Sequence, residues 1–326
     1  AEVPRAFDLC PAGCPKCGKR IFEVAKSTYP WIIDPKRPFK VQCPICKTVF
    51  PSNDYGRFYR SGFKDRSDFD GPYVDDGRGW LAPNGQRYWF VAYATHWMWT
   101  IHDTSPHPSI RTGLAALGHA YLLTGDRRYA HTAAVMLHRV AEVYPNMDYE
   151  SQSRYGQMMQ EIDGSRYQGK AVNAIWETYQ GAQYAETYDA IWETIDGDTA
   201  LQQFLGKDGR SIRSFIEANL LEDSIDAIYE KRSRGNYGMH QRALLLLAIV
   251  RQHADTKRYL SGLLDRLEGS YYLGLRPALY TLVWRDGEPF ESPGYNLLWV
   301  QNLTALVGLL PKLGVDVSTL PRLRRL

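Results

Sequence analysis

The chain lacks any apolar run long enough to cross a bilayer. Its longest, around Ala243–Val250, falls well short of the ~20 residues a spanning helix needs, so no membrane-spanning role is expected. It also has little net charge. Lys+Arg 39 against Asp+Glu 36 leaves +3 over 326 residues, too small an excess to drive binding to nucleic acid or a membrane surface. No repeat of fixed period occurs, which excludes TPR- and HEAT-type arrays. Cysteine is absent beyond residue 46. A chain of this length buries roughly three quarters of its unfolded surface and needs no disulfide scaffold. The start at Ala1, without Met or a charged-then-apolar leader, suits a mature protein after signal cleavage. A periplasmic or secreted location is therefore expected. The basic, leucine-spaced end from Asp316 to Leu326 does not read as a natural stop, and the polypeptide is expected to continue beyond it.

What the chain has in excess is aromatic residues: 9 Trp, 22 Tyr and 11 Phe. Flat rings stack on sugars or bases, but they serve more often as core filler. The five cysteines are all in the first 46 residues. Cys14-Pro-Lys-Cys17-Gly and Cys43-Pro-Ile-Cys46-Lys form two C-x-x-C knuckles, each of which aims two sulfurs at one point. Four thiolates in a tetrahedron suit structural Zn²⁺, with no open position for catalysis. Disulfides are the alternative, disfavoured by the odd count and the repeated spacing. Cys10 either replaces a neighbouring ligand or stays a free thiol. Strands at Lys40–Gln42 and Thr48–Phe50 would complete a zinc ribbon. Lys16, Lys19 and Arg20 alone make no basic-aromatic stripe for nucleic acid.

Three regions follow: a zinc-ribbon segment over 1–52, a loop-rich linker or lid over 53–86, and a helical domain over 87–326. Turn formers from Asn53 to Gly85 argue against regular helix in the middle region. Apolar residues then recur at three-to-four spacing in Gln86–His102, Ile110–Thr124, Arg128–Tyr144, Gln168–Thr194, Ser211–Ile228, Tyr237–His253, Lys257–Glu268 and Asn296–Leu310. Stop-and-start signals separate several of them, among them Gly125-Asp126, Gly206-Lys207-Asp208-Gly209 and Ala254-Asp255-Thr256. Short connections favour antiparallel hairpins. The fold class expected is mainly α, an incomplete (α/α) toroid of helical hairpins behind a small N-terminal zinc ribbon. A four-helix-bundle array is the alternative.

Two loops stand out. Arg232-Ser-Arg-Gly-Asn236-Tyr237-Gly238-Met-His240 opens a strongly apolar helix, where Asn236 is placed to act as N-cap and His240, four residues on, to share its face. Arg285-Asp-Gly-Glu-Pro-Phe-Glu291-Ser-Pro-Gly-Tyr295 leads into a second helix. Unpaired amides and the helix dipole make such N-termini natural anion sites.

Taken in order, "FPSNDYGRFYRSG", "DDGRGW", "YWFVAYATHWMW", "AIWETYQGAQYAETYDAI", "GNYGMHQ" and "DGEPFESPGYN" resemble the heparinase II/III-like polysaccharide lyases, over roughly Cys14 to Leu326. The resemblance implies an (α/α) toroid followed by an antiparallel β-sandwich domain, which this chain does not contain. It implies β-elimination on an anionic, uronic-acid polysaccharide of glycosaminoglycan or alginate type, with no organic cofactor. Asn236 matches the Asn of the family's N-x-G pattern, which neutralises the substrate carboxylate. Tyr295 matches the Tyr after "E-x-S-P-x-Y", an acid, a base or both. Tyr237 stands where members usually carry His or Trp, and His240 could fill that role from the next turn. Arg234 could pair with a carboxylate or sulfate. Trp97, Trp99 and Trp176 are candidate sugar platforms, with core packing the more ordinary use of each, and Tyr237 is a further candidate substrate contact. The alternatives are a non-catalytic carbohydrate-binding toroid and a glycoside hydrolase, the latter needing two carboxylic acids from residues such as Glu177, Glu193 and Glu291.

Overall fold

The computed structural model describes residues 8–99, 109–146, 177–233, 235–269 and 273–326. The described chain is mainly helical, with five two-residue strands. It forms two compact units: the described residues up to Gly113 with Asn146, and Leu114–Pro145 with the described residues from 177 onward.

In the first unit α1 (Arg20–Ala25) follows the first knuckle. Strands β1 (Ile32–Ile33), β2 (Val41–Gln42) and β3 (Val49–Phe50) form one antiparallel sheet in that order, with Ile33 opposite Val41 and Val41 opposite Phe50. The second knuckle is the turn between β2 and β3. Next comes α2 (Tyr55–Arg60), inside the stretch where turn formers argued against helix. Asp54 explains it: its carboxylate accepts from the Arg57 amide at 3.0 Å, a side-chain N-cap, and Tyr55 and Phe58 bury one face. A hairpin, β4 (Trp80–Leu81) with β5 (Arg87–Tyr88), leads into α3 (Phe90–Trp99).

The surplus of rings is core here. Phe50 stacks on Phe90 at 4.9 Å with 8° between planes, and Tyr73, Trp80 and Tyr88 pack around them. At the head of α3 lies a buried carboxylate. Asp75 accepts from the amides of Val91, Gly77 and Gly79 at 2.8–3.0 Å, satisfying one of the orphan donors of the helix start. The Asn53 side chain clamps the Asp75 backbone through both its amide and its carbonyl. The Asn and Asp of "SND…DDG" thus have a structural duty.

Helix α4 (Ile110–Thr124) carries the chain into the second unit. There follow α5 (Arg127–Val143), α6 (Glu177–Ile195), α7 (Thr199–Leu205), α8 (Gly209–Ile216), a π-helical turn (Glu217–Glu222), α9 (Asp223–Tyr229), α10 (Met239–Arg251), α11 (Thr256–Asp265), α12 (Leu275–Thr281) and α13 (Pro293–Leu309). Asp126, Asp198 and Asp208 cap α5, α7 and α8 through their carboxylates, and Gly206 closes α7 in the left-handed conformation. The expected helix Ser211–Ile228 is interrupted by the π turn. The expected helical residues beyond Trp99, those before Glu177, and Trp176 lie outside the described residues. Helix α10 is the centre of the unit, packed against α6, α9, α11 and α13. Its Ala243, Leu245, Leu247 and Ala248 are fully buried, as expected of a helix apolar on all sides.

Candidate functional site

The first loop begins where Ser233 donates its amide to the Ala227 carbonyl at 2.8 Å. Asn236 then makes a turn of its own: its carbonyl accepts from the Met239 amide at 3.0 Å, and its amide points at the Met239 sulfur at 3.2 Å. The helix N-cap is Gly238, not Asn236. At φ 89° Gly238 adopts a conformation open to glycine, and Gln241 accepts from its amide at 2.8 Å, the return half of a capping box. Asn236 therefore precedes α10 and shares no helix face with His240. Gln241 was legible only from its spacing, three residues after the cap.

Each side chain of this loop has a definite setting. Tyr237 is buried, its ring stacked on Trp299 at 4.4 Å and its hydroxyl donating to the Leu273 carbonyl at 3.0 Å. Burial raises its pKa well above the ordinary tyrosine value, so it stays a neutral core anchor rather than a surface for substrate. His240 is 2% exposed. Its Nδ1 lies 3.3 Å from the Gly235 carbonyl oxygen, which assigns the proton to Nδ1. It lines a cavity of about 30 Å³ with Tyr229, Tyr259 and Arg266, space for little more than one water. Asn236 is 7% exposed, and its Nδ2 has no hydrogen-bond partner among the described residues. Arg234 lies outside the described residues.

The second loop is a tight return. Val283 bridges Pro289, Trp284 donates to the Glu288 carbonyl at 2.8 Å, and Gly287 turns the chain at φ 103°. Asn296, which sequence reasoning passed over, ties it down. Its Oδ1 accepts from the Glu291 amide, and its Nδ2 donates to the Glu288 carboxylate, both at 3.1 Å. Helix α13 starts at Pro293, and Tyr295 in its first turn is 42% exposed.

The two loops meet through α13. Tyr237 stacks on Trp299, and Gly238 approaches Asn302 so closely that a Cβ there would stand 2.9 Å from the Asn302 Cβ. Tyr295 is one turn ahead of Trp299 on the same helix face. Phe290 packs edge-on against Trp299 at 5.8 Å. Tyr295 makes no hydrogen bond or ring contact with Asn236 or His240 among the described residues.

In the first unit, Trp97 is 6% exposed, with its indole packed against Tyr29 (4.8 Å) and Tyr93 (5.8 Å). It is a core residue, and Trp99 is buried as well.

The same unit gathers the four knuckle cysteines. Cys14, Cys17, Cys43 and Cys46 place their sulfurs within 4.8 Å of one another, all as free thiols. The Cys14–Cys46 and Cys17–Cys43 separations are 3.8 and 3.9 Å. A tetrahedron with metal–sulfur bonds of about 2.3 Å has edges of about 3.8 Å, so the donor set fits a metal ion that these four residues could hold. The knuckles are built alike. Gly18 donates to the Cys14 carbonyl and Lys47 to that of Cys43, each in the left-handed region at φ 58°. Burial raises the Cys14 thiol far above its ordinary range. Burial also opposes the Cys46 thiolate, but hydrogen bonds from the Thr48 hydroxyl and amide and from neighbouring thiols lower it to about 6. Cys10 stands apart, buried with its sulfur 3.8 Å from the Gln86 side-chain oxygen.

No protein-family model, curated protein or solved structure matches this chain.

Proposed function

We propose that the chain is the helical part of a polysaccharide lyase that cleaves a uronic-acid-containing anionic polysaccharide by β-elimination. The observation that carries this reading is the convergence on α13: the loop bearing Asn236 packs against the same helix face that presents the half-exposed Tyr295. In this mechanism the Asn236 amide neutralises the uronate carboxylate, which acidifies the C5 proton. The Tyr295 phenolic oxygen takes that proton and returns one to the departing glycosidic oxygen. The C5–H and C4–O bonds break and a C4=C5 double bond forms.

Two features support these roles. Tyr295 is open to solvent. Asn236 Nδ2 is a donor without a partner, and leaving it so costs about 1–3 kcal/mol, which a carboxylate would recover. The Asn236 side chain is buried in this conformation, so its amide has to be uncovered before a substrate carboxylate can reach it. His240, with its Nδ1 proton directed at the Gly235 carbonyl, is the alternative base through Nε2. Glu177 weighs against a glycoside hydrolase, because it is buried and accepts from the Tyr144 hydroxyl. A non-catalytic carbohydrate-binding toroid would not need the Tyr295 oxygen.

In the same reading the second unit belongs to an incomplete (α/α) toroid. Residues 14–50 form a zinc ribbon whose Cys14, Cys17, Cys43 and Cys46 hold a structural Zn²⁺. The location is periplasmic or secreted, and a β-sandwich domain follows in the longer protein. The test is to mix the protein with a panel of uronate polymers and follow the ultraviolet absorbance of an unsaturated uronate. Growth of that absorbance supports the reading. Release of sugar reducing ends without it would assign hydrolysis instead.

A further inference from the structure

We propose that the turn carrying Trp284 and Arg285 is a second carbohydrate contact beside Tyr295. There the indole stacks on a sugar ring of an anionic polysaccharide and the guanidinium holds its carboxylate or sulfate. The indoles that the sequence offered as sugar platforms, Trp97 and Trp99, are buried. Trp284 is instead 64% exposed, the most open tryptophan among the described residues, and Tyr280 at the end of α12 is 61% exposed. These rings do not stand singly, because Phe290 and Tyr295 follow on the same loop and are exposed as well. Apolar patches rimmed by polar residues mark ligand grooves and interaction sites.

The backbone beneath the rings is fixed. Trp284 donates its amide to the Glu288 carbonyl at 2.8 Å, and its own carbonyl accepts from Gly287 at 3.1 Å. Arg322 donates to the carbonyls of Leu279, Tyr280 and Val283 at 2.7–3.0 Å, and Arg325 to that of Arg285 at 2.7 Å. A platform held this way loses little freedom on binding. The charge left for a ligand is positive. Asp286 accepts from the Glu288 amide and Glu288 from the Asn296 side chain, whereas the exposed Arg285 side chain has no ion pair among the described residues. An anionic pyranose offers a C–H face to the indole and a charged edge to the guanidinium, which pairs with such groups bidentately. Single-stranded nucleic acid also stacks on rings, but it is held by several of them along a strongly basic groove, against a net +3 for this whole chain. The turn is joined to the candidate site, since Glu288 holds Trp284 through its carbonyl and Asn296, the neighbour of Tyr295, through its carboxylate. The proposal rests on the lyase reading for the identity of the sugar.

The test titrates the full chain calorimetrically with heparin, hyaluronan and alginate, in a Tyr295→Phe background so that turnover does not interfere. It is repeated with Trp284→Ala, Trp284→Phe and Arg285→Gln added. The result expected is saturable binding of at least one polymer, weakened about tenfold by Trp284→Ala and largely restored by Trp284→Phe. Arg285→Gln should weaken binding and make it less sensitive to salt. Melting temperatures should stay at the parent value, because both side chains are exposed. Turnover is followed separately without the Tyr295 change, as absorbance of an unsaturated uronate. Weakened binding by Trp284→Ala with no turnover of any polymer would support the sugar contact and count against the lyase reading. Turnover, with Trp284→Ala binding every polymer as tightly as its parent, would overturn the contact and leave the lyase reading standing. Absence of saturable binding to all the polymers, or a Trp284-dependent binding of oligothymidylate alone, would overturn it as well.

Discussion

If the four knuckle cysteines hold a metal ion, replacing Cys43 by Ser should strip it from the first unit and loosen that unit while sparing the helices of the second. The magnitude follows from geometry. The Cys14–Cys46 and Cys17–Cys43 sulfur separations, 3.8 and 3.9 Å, already match the edge of a thiolate tetrahedron, so binding needs little rearrangement. A structural zinc ion in such a site contributes about 10–16 kcal/mol at neutral pH, comparable to the ~5–15 kcal/mol that stabilises a whole domain. Cys43 is fully buried. Serine there removes one of four thiolates and adds a hydroxyl, so metal affinity should fall by more than the ~10–100-fold lost with a mere outer-shell partner. The sheet that would have to persist without metal has strands of two residues each. The Phe50–Phe90 stack beside it should report the loss as a collapse of near-ultraviolet dichroism. The far-ultraviolet helix signal should survive, because most of the described helix lies in the second unit. The assays are elemental analysis of purified protein, chelator-competition titration and near-ultraviolet melts of both proteins. Acid should act like the mutation, since protons compete for the thiolates as pH falls. Metal-free wild-type protein with a full near-ultraviolet signal, or disulfides among these cysteines by mass spectrometry, would refute the reasoning.

Tyr295→Phe should abolish unsaturated product while changing stability by no more than about 0.5 kcal/mol, since the ring is half-exposed; near wild-type turnover would remove Tyr295 from the chemistry. Asn236→Ala should cost about 2–4 kcal/mol of transition-state stabilisation but hold or raise the melting temperature, because Asn236 caps nothing and its unpaired Nδ2 is removed; a large drop in melting temperature would show a structural role instead. Asp75→Ala should destabilise the first unit by about 3–9 kcal/mol, leaving three amides without acceptors at ~1–3 kcal/mol each, as read by chemical denaturation; a loss under about 1 kcal/mol would mean those amides find other partners. His138 is buried, stacked on Phe215 and bonded to Lys207 at 3.2 Å, and burial followed by the Lys207 charge lowers its pKa below 6.5. The unfolded chain then binds the extra proton first, so stability should fall as pH drops through 6.5 towards the folded value, and His138→Gln should flatten that slope; an unchanged slope would assign it to other groups.

Much of the helical pattern was legible because it is written locally. Asp126 and Asp208 cap within three residues of themselves, and α10 carries an unbroken apolar run from Ala243 to Val250. The knuckles were legible for the same reason, each being a closed turn of a few residues. What escaped is set by contacts distant in sequence or by single dihedrals. Helix α2 hid because glycine and aspartate density outvoted one cap and two buried rings. The break at Glu217–Glu222 leaves the apolar period almost intact. The cap falls two residues after Asn236 because the φ of 89° at Gly238 decides where α10 begins, and a sequence shows the glycine but not its angle.

The site itself is fixed by packing more than by motif. Gly238 touches Asn302, and Asn302 in turn donates to the Leu298 carbonyl at 2.8 Å and the Tyr179 hydroxyl at 3.3 Å. The loop that carries Asn236 is therefore located by α6, α10 and α13 together. This accounts for the tyrosine at position 237, where the lyase resemblance leads one to expect His or Trp. Each of those three side chains is a flat ring able to stack on Trp299. Only tyrosine, in the fold seen here, also reaches the Leu273 carbonyl with a hydroxyl that burial keeps protonated. A side chain so engaged cannot collect a proton from substrate. If the chain performs β-elimination, the base must come from the solvent-facing Tyr295 or from His240, and the neutral anchor at 237 serves to hold Asn236 against the helix that presents the former.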